Sequence, residues 1–153
     1  MEIPTLSEEE KQKTFTEMWF GTMVGSMDFI MRKLGPEAMK KLNDETTNWC
    51  AADMKARGVD NPLKFAVDYA VVNKNIFDGN VEISGNSERA ILDVKRRSNL
   101  EVALKFAEKE MLITKEHYCG GCVNGYFKRV AENLDFNIGV EFTKKRSNIT
   151  ISK

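Results

Sequence analysis

Three residues near the carboxyl end of the chain have types and spacing that could support chemistry. His117, Cys119 and Cys122 lie within six consecutive positions, in the stretch EHYCGGCVNGYF. His117 is the only histidine of the chain, and the two cysteines are two of its three. A thiol pair beside an imidazole can hold a metal ion, exchange disulfides, or supply a nucleophile and its base. These three hypotheses make different demands on the rest of the fold.

A metal site is the leading hypothesis for this group. Cys119 and Cys122 are spaced to hold one soft metal ion, such as zinc or iron. His117 is close enough in sequence to bind the same ion. A closed zinc site needs four ligands, and Cys50 is the only other cysteine. The predicted ligands are therefore Cys50, His117, Cys119 and Cys122. A [4Fe-4S] cluster held by cysteine alone is excluded, because three cysteines cannot supply four thiolates. The alternative for Cys50 is a small hydrophobic side chain that packs in the core and has no chemical role.

Redox exchange and catalysis are open alternatives for the same residues. Free amides and the dipole at a helix N-terminus favour a thiolate, which is how a redox dithiol is made. A thioredoxin is excluded, because the residues that follow Cys122 are too few for the remaining elements of that fold. In the catalytic alternative, Cys119 or Cys122 attacks an electrophilic carbon and His117 moves the proton.

A basic run offers a candidate site for a small anionic ligand. Arg96 and Arg97 precede Ser98, where a capping box predicts the start of a helix. A carboxylate could bind these arginines together with the free amides of the helix. The same run is also typical of a solvated strand end.

The first predicted helix has an apolar stripe that small residues interrupt. Its members recur at spacings of three and four, and others widen it: Phe15, Trp19, Met23, Met27, Ile30 and Leu34, then Phe20, Val24 and Met31. Gly21, Gly25 and Ser26 indent this surface, and the methionines can adapt to irregular shapes. We expect the stripe to pack in the core, with Trp19 and Met23 as candidate walls of a ligand pocket or of a homodimer contact.

Composition restricts the class of protein. The chain has 153 residues, 42% of them hydrophobic and 30% charged, which is typical of one globular domain. Its 23 basic and 23 acidic residues balance, so we expect neither nucleic acid nor a membrane as a partner. The first residues, MEIPTLSEEEKQK, lack the segments of a secretion signal. We expect a cytoplasmic protein with reduced thiols.

The chain changes from helical to extended periodicity near residue 79. A capping box at Ser7, a break at Gly35 and Pro36, and a start at Asn61 and Pro62 predict helices over residues 7–35, 36–58 and 61–78. A hairpin from NVEIS and ERAILDV comes next. A helix from Ser98, a helix after the cysteines and a hairpin from FNIGVEF and NITISK follow. We therefore predict a single α+β domain over 1–153, with a helical part (1–78) and a mixed part (79–153). Its N-terminal helices pack on an antiparallel sheet built from two hairpins, with two further helices between them.

The C-terminal third also resembles a known family. The run of CxxC, VNGYFKRVAENLDFNIGVEF, a short turn and NITI is similar to small-molecule-binding domains of the vinyl reductase type and to L-2-amino-thiazoline-4-carboxylate hydrolase-like proteins. Cys119 or Cys122, Gly125 and Glu141 match the order of residues in those domains. The resemblance implies a small organic ligand, with Glu141 in its site, and a thiol-dependent hydrolase as the alternative to a metal-binding domain. Where the family has further cysteines, this chain has Ser98 and Ser147 beside basic residues.

Overall fold

The computed structural model describes residues 4–96, 101, 120–142 and 146–153. Within these ranges the elements in chain order are α1 (Glu8–Ala56), α2 (Pro62–Asn75), β1 (Asn80–Gly85), β2 (Arg89–Arg96), a π-helix (Gly120–Phe127), α3 (Lys128–Glu132), β3 (Asn137–Phe142) and β4 (Ser147–Ser152). The predicted α+β class is confirmed. The helix predicted from Ser98 lies outside the described residues except for Glu101, which is helical.

Two sequence signals set the start and the break of α1. The Ser7 hydroxyl accepts from the Glu10 amide at 3.3 Å, and the Glu10 carboxylate accepts from the Ser7 amide at 2.8 Å. This is the predicted capping box. Gly35 has φ 81° and ψ 177°, so it interrupts the helix, and Pro36 begins the second half. The first half of α1 (residues 8–34) and the second half (residues 36–56) are therefore two helices joined at a sharp break.

The core face of the first half of α1 differs from the predicted stripe. Phe20 and Val24 are buried, and the Phe20 ring lies 5.2 Å from the ring of Phe77, just beyond α2. Phe15 and Trp19, which the stripe placed in the core, are half exposed. The prediction was wrong because this helix has apolar residues on opposite sides, and spacing alone does not identify the side that Ile76 and Phe77 contact.

The helix α2 contributes a fully buried aromatic residue to the core. The Asn61 side chain accepts from the Lys64 amide at 3.0 Å and caps α2, with Pro62 as its first residue. Phe65 is fully buried, and its ring centroid lies 4.9 Å from that of Phe127 and 5.9 Å from that of Phe136. This aromatic cluster joins α2 to the π-helix and to the segment that leads into β3.

The sheet has four antiparallel strands in the order β1-β2-β4-β3, so β2 and β4 join the two predicted hairpins. One face is apolar, with its residues alternating along each strand: Val81, Ile83, Ala90, Leu92, Val94, Ile138, Val140, Ile149 and Ile151. These pack with residues of α1, α2, the π-helix and α3 in a single hydrophobic core. The helices therefore cover one face of the sheet, as predicted. No helix within the described ranges is long and apolar enough to cross a membrane.

Candidate thiol site

Two cysteines that are far apart in sequence lie on elements that contact each other. Cys50 lies on the second half of α1, and Cys122 is the third residue of the π-helix. Both are half-buried. Tyr126 follows Cys122 by four residues and therefore lies on the same side of the π-helix.

The pKa of Tyr126 responds to both thiols. Although 38% of its surface is exposed, burial is the largest cause that raises this pKa. The neighbouring Cys50 and Cys122 raise it further, because the anion of either thiol would repel a phenolate. Hydrogen bonding between the Tyr126 hydroxyl and the Cys50 thiol also raises the pKa of Tyr126 and lowers that of Cys50. Tyr126 is therefore within electrostatic range of both sulfurs.

The Cys50 thiol is protonated in this environment. Burial is the largest cause that raises its pKa above the ordinary value, and the charges of Asp68 and Asp53 raise it further. The hydrogen bond from Tyr126 and the charge of Arg57 act in the opposite direction, since both stabilise a thiolate. Any species that binds the Cys50 sulfur as a thiolate must therefore displace a proton.

An ion network lies beside Cys50. Arg57 Nε donates to Asp53 Oδ2 at 2.9 Å, and its two terminal nitrogens hold the carboxylate of Asp68, one of them at 3.3 Å. Asp68 is the main cause that raises the pKa of Arg57. Two carboxylates against one guanidinium leave one net negative charge near Cys50. This charge favours a cation at the Cys50 sulfur.

Polar contacts fix the π-helix on the second half of α1. Asn43 Nδ2 donates to the carbonyl of Gly125 at 3.1 Å, and Asn133 Nδ2 donates to Asn48 Oδ1 at 2.8 Å. An ion pair between Arg129 and Asp44 lies between these contacts. The same helix is held from the other side, where the rings of Phe127 and Tyr69 lie 4.3 Å apart. Helices with the i→i+5 pattern are rare and often occur at functional sites.

Several predicted site residues lie outside the described residues or away from the thiols. His117, Cys119 and Arg97 lie outside the described ranges, and Arg96 ends β2 opposite Asn80. Trp19 and Met23 are on the first half of α1, before the Gly35 break.

Glu141 lies on the face of the sheet opposite the one that the described helices cover. It is exposed, while its neighbour Val140 packs against the core. Its strand partner is Asn148, which is also exposed. Because successive side chains of a strand alternate between faces, Glu141 points away from the helical layer that holds Cys50 and Cys122.

The chemistry of the donor set fits a soft metal ion. Two sulfurs beside a net negative charge are suited to zinc or iron, and two more ligands are needed to close the site. Within the described part of the chain, no group of three or more histidine, cysteine, aspartate or glutamate residues is placed to hold a metal. The two ligands that the sequence adds, His117 and Cys119, are beyond those ranges.

Sequence reasoning did not identify Tyr126 as part of the site. Apolar spacing predicts Tyr126 only as one member of the helix that follows the cysteines. The signal was its position four residues after Cys122, which places a hydroxyl near a candidate metal ligand on a helix. No family model matches this chain. No curated protein is similar to it at a significant level. The resemblance drawn from the C-terminal residues stays a prediction.

Proposed function

We propose that this protein binds one soft metal ion, zinc or iron, through Cys50, His117, Cys119 and Cys122. The observation that supports the proposal is the position of Tyr126, whose pKa is raised by burial and then by both Cys50 and Cys122. Cys50 lies on the second half of α1 and Cys122 on the π-helix, and these two elements contact each other.

Tyr126 would support the metal from outside the ligand set. Its hydroxyl already bonds the Cys50 sulfur, and a metal-bound thiolate is a better acceptor than a thiol. Such a donor orients the ligand and disperses part of its charge. The Arg57 network would add a smaller effect, since its net negative charge attracts the cation while Arg57 keeps both carboxylates occupied.

A closed site of four protein ligands would serve the fold rather than catalysis. Catalytic zinc sites keep an open position for water or substrate, whereas structural sites do not. The ion would join the second half of α1 to the π-helix and to the residues before it. Because unfolded chains hold no such site, its binding energy would contribute directly to folding stability.

The test is elemental analysis with a thiol titration on protein purified without oxygen. We expect near-stoichiometric zinc or iron in the unaltered protein, and thiols that react slowly until a chelator removes the metal. Cys50→Ser, Cys119→Ser, Cys122→Ser and His117→Ala should each lose most of the metal. Asn124→Ser is the matched control, because Asn124 is an exposed position of the same π-helix and is not a predicted ligand.

Two results would contradict the proposal. One is metal-free protein with rapidly reactive thiols, which would favour a thiol-dependent hydrolase or a redox dithiol instead. The other is a metal content that Cys50→Ser leaves unchanged, which would show that the ion lies elsewhere.

A further inference from the structure

The first half of α1 has a second apolar face, opposite the buried one. Phe15, Met18, Trp19 and Phe29 expose 52%, 68%, 52% and 54% of their surface. On the opposite side of the helix, Val24 is 1% exposed. Helices that are apolar on opposite sides are normally covered on both. This second face, from Phe15 to Phe29, is named the outer face of α1.

The outer face has large aromatic side chains at one end and a depression at the other. Phe15 and Trp19 stack at its N-terminal end, with centroids 6.4 Å apart and planes 18° from parallel. Towards the other end lies a shallow depression whose lining includes Thr22, Gly25 and Ser26. A Cβ added to Gly25 would meet no atom within 4 Å, so this part of the surface is open.

We propose that the outer face binds the outer face of a second copy of the chain, as an antiparallel helix pair. A twofold axis at Thr22 places residues at equal sequence distance before and after it opposite one another. Trp19 then lies opposite Gly25 of the second copy, and Met18 lies opposite its Ser26. Each large side chain meets a small one.

The same register pairs the ends of the face. Phe15 and Phe29 are both seven residues from Thr22, so each aromatic ring meets the other aromatic ring of the second copy. The spacings 15, 18, 22, 25 and 29 alternate three and four, which is the pattern of a helix seam. The surface is therefore complementary to itself in this one orientation.

The exposed apolar side chains of the outer face supply about half of the area of a standard interface. Each half-exposed aromatic ring leaves on the order of 100 Å² uncovered, and Met18 leaves a similar area. The four large side chains therefore offer on the order of 400 Å² per copy, which is a large patch for a monomer. The small residues between them and the flanks of the helices bring the buried area towards the roughly 800 Å² per partner of standard interfaces.

Charge does not oppose this register. Lys11 of one copy comes near Lys33 of the other, since both are eleven residues from Thr22. Glu8 pairs with Lys11 at 2.6 Å in the same helix and so lies beside both cations. The pairing would therefore depend on apolar contact and only weakly on salt.

Sedimentation velocity over about 1 to 200 µM tests the proposal. We expect a reversible monomer–dimer equilibrium. Thr22→Lys should weaken it at least about tenfold, because two ammonium groups would meet at the axis. Thr22 is exposed in the monomer, so thermal unfolding at low concentration should be unchanged. Ser84→Lys, at an equally exposed position of β1, adds the same charge and should leave the dimer intact.

Tryptophan fluorescence identifies the face. In a Trp49→Phe background, the emission of Trp19 should shift to shorter wavelength as the dimer forms, because Gly25 of the second copy would exclude water. Protein that stays monomeric at every concentration would overturn the proposal. So would a dimer that Thr22→Lys does not weaken, or one that leaves the emission of Trp19 unchanged. The metal site plays no part in this experiment, so either proposal can fail without the other.

Discussion

At the scale of single residues, the properties of the site follow from the surroundings of Cys50. Its sulfur is half-buried, accepts a hydrogen bond from Tyr126, and lies near the charges of Asp68, Asp53 and Arg57. Desolvation is the largest of these effects and favours the neutral thiol. The residue types were visible in the sequence, but their mutual distances were not, because Cys50 and Tyr126 are brought together only by the packing of two helices.

Removing the Tyr126 hydroxyl should make Cys50 a weaker nucleophile. In a Cys119→Ser, Cys122→Ser background without metal, Tyr126→Phe removes the hydrogen bond that lowers the Cys50 pKa. We expect alkylation at about pH 8 to slow roughly threefold, because less thiolate is present. Asn124→Ser, at an exposed position of the same π-helix, should leave the rate unchanged. An equal rate in both variants would show that Tyr126 does not act on Cys50.

The pH dependence of stability gives a second test of the same residue. Burial raises the Cys50 pKa, so the folded protein holds this proton more tightly than the unfolded chain. The resulting stability is present below the unfolded pKa of about 8.5 and is lost as pH rises through the folded value. Urea unfolding with a chelator, compared at about pH 7 and pH 10, should show a larger loss for the unaltered protein than for Cys50→Ser. Equal losses would contradict the burial of this thiol.

At the scale of elements, the sequence predicts where a helix starts or breaks better than it predicts which face of the helix is buried. The capping box at Ser7, the cap at Asn61 and the break at Gly35 are local, since each depends on a few neighbouring residues, and all three are confirmed. The buried side of the first half of α1 depends on where α2 ends. Apolar spacing could not supply that information.

Gly35 provides a direct test of the break in α1. Its backbone angles are in a region that is essentially restricted to glycine, so Gly35→Ala should cost about 1–3 kcal/mol of unfolding free energy. If the helix were instead continuous, the same change would stabilise it by about 1 kcal/mol. Gly139→Ala is the control, because an added Cβ there meets nothing within 4 Å and its φ is not positive. Chemical denaturation of the two variants distinguishes these outcomes.

At the scale of the whole molecule, one core supports both the sheet and the thiol site. Alternating strand residues predicted the inner face of the sheet correctly, and helix order predicted the layer that covers it. The pairing of β2 with β4, which joins the two hairpins, was not specified by either hairpin alone. The placement of Cys50 and Cys122 on contacting elements likewise depends on tertiary packing. The sequence suggested Cys50 as a partner of the pair only because a closed metal site needs a fourth ligand.

Phe65 couples the core to the site. Its ring touches Phe127, the last residue of the π-helix, and it is fully buried. Phe65→Ala should cost about 3–5 kcal/mol and loosen the helix that positions Cys122. Val71→Ala, at an exposed position of α2, should change stability by no more than about 0.5 kcal/mol. Denaturant unfolding of both variants, with metal content measured in parallel, checks the coupling. Retention of full metal affinity by a destabilised Phe65→Ala would argue against it.

The central claim is that Cys50 shares one metal ion with the cysteine pair, and X-ray absorption at the metal edge tests it most directly. The method counts ligands by distance, with sulfur at about 2.3 Å and nitrogen at about 2.0–2.1 Å for zinc. For zinc-loaded protein we predict three sulfurs and one nitrogen, and we expect Cys50→Ser protein reloaded with zinc to show two sulfurs. Two sulfurs in the unaltered protein, or three that Cys50→Ser leaves unchanged, would contradict the claim.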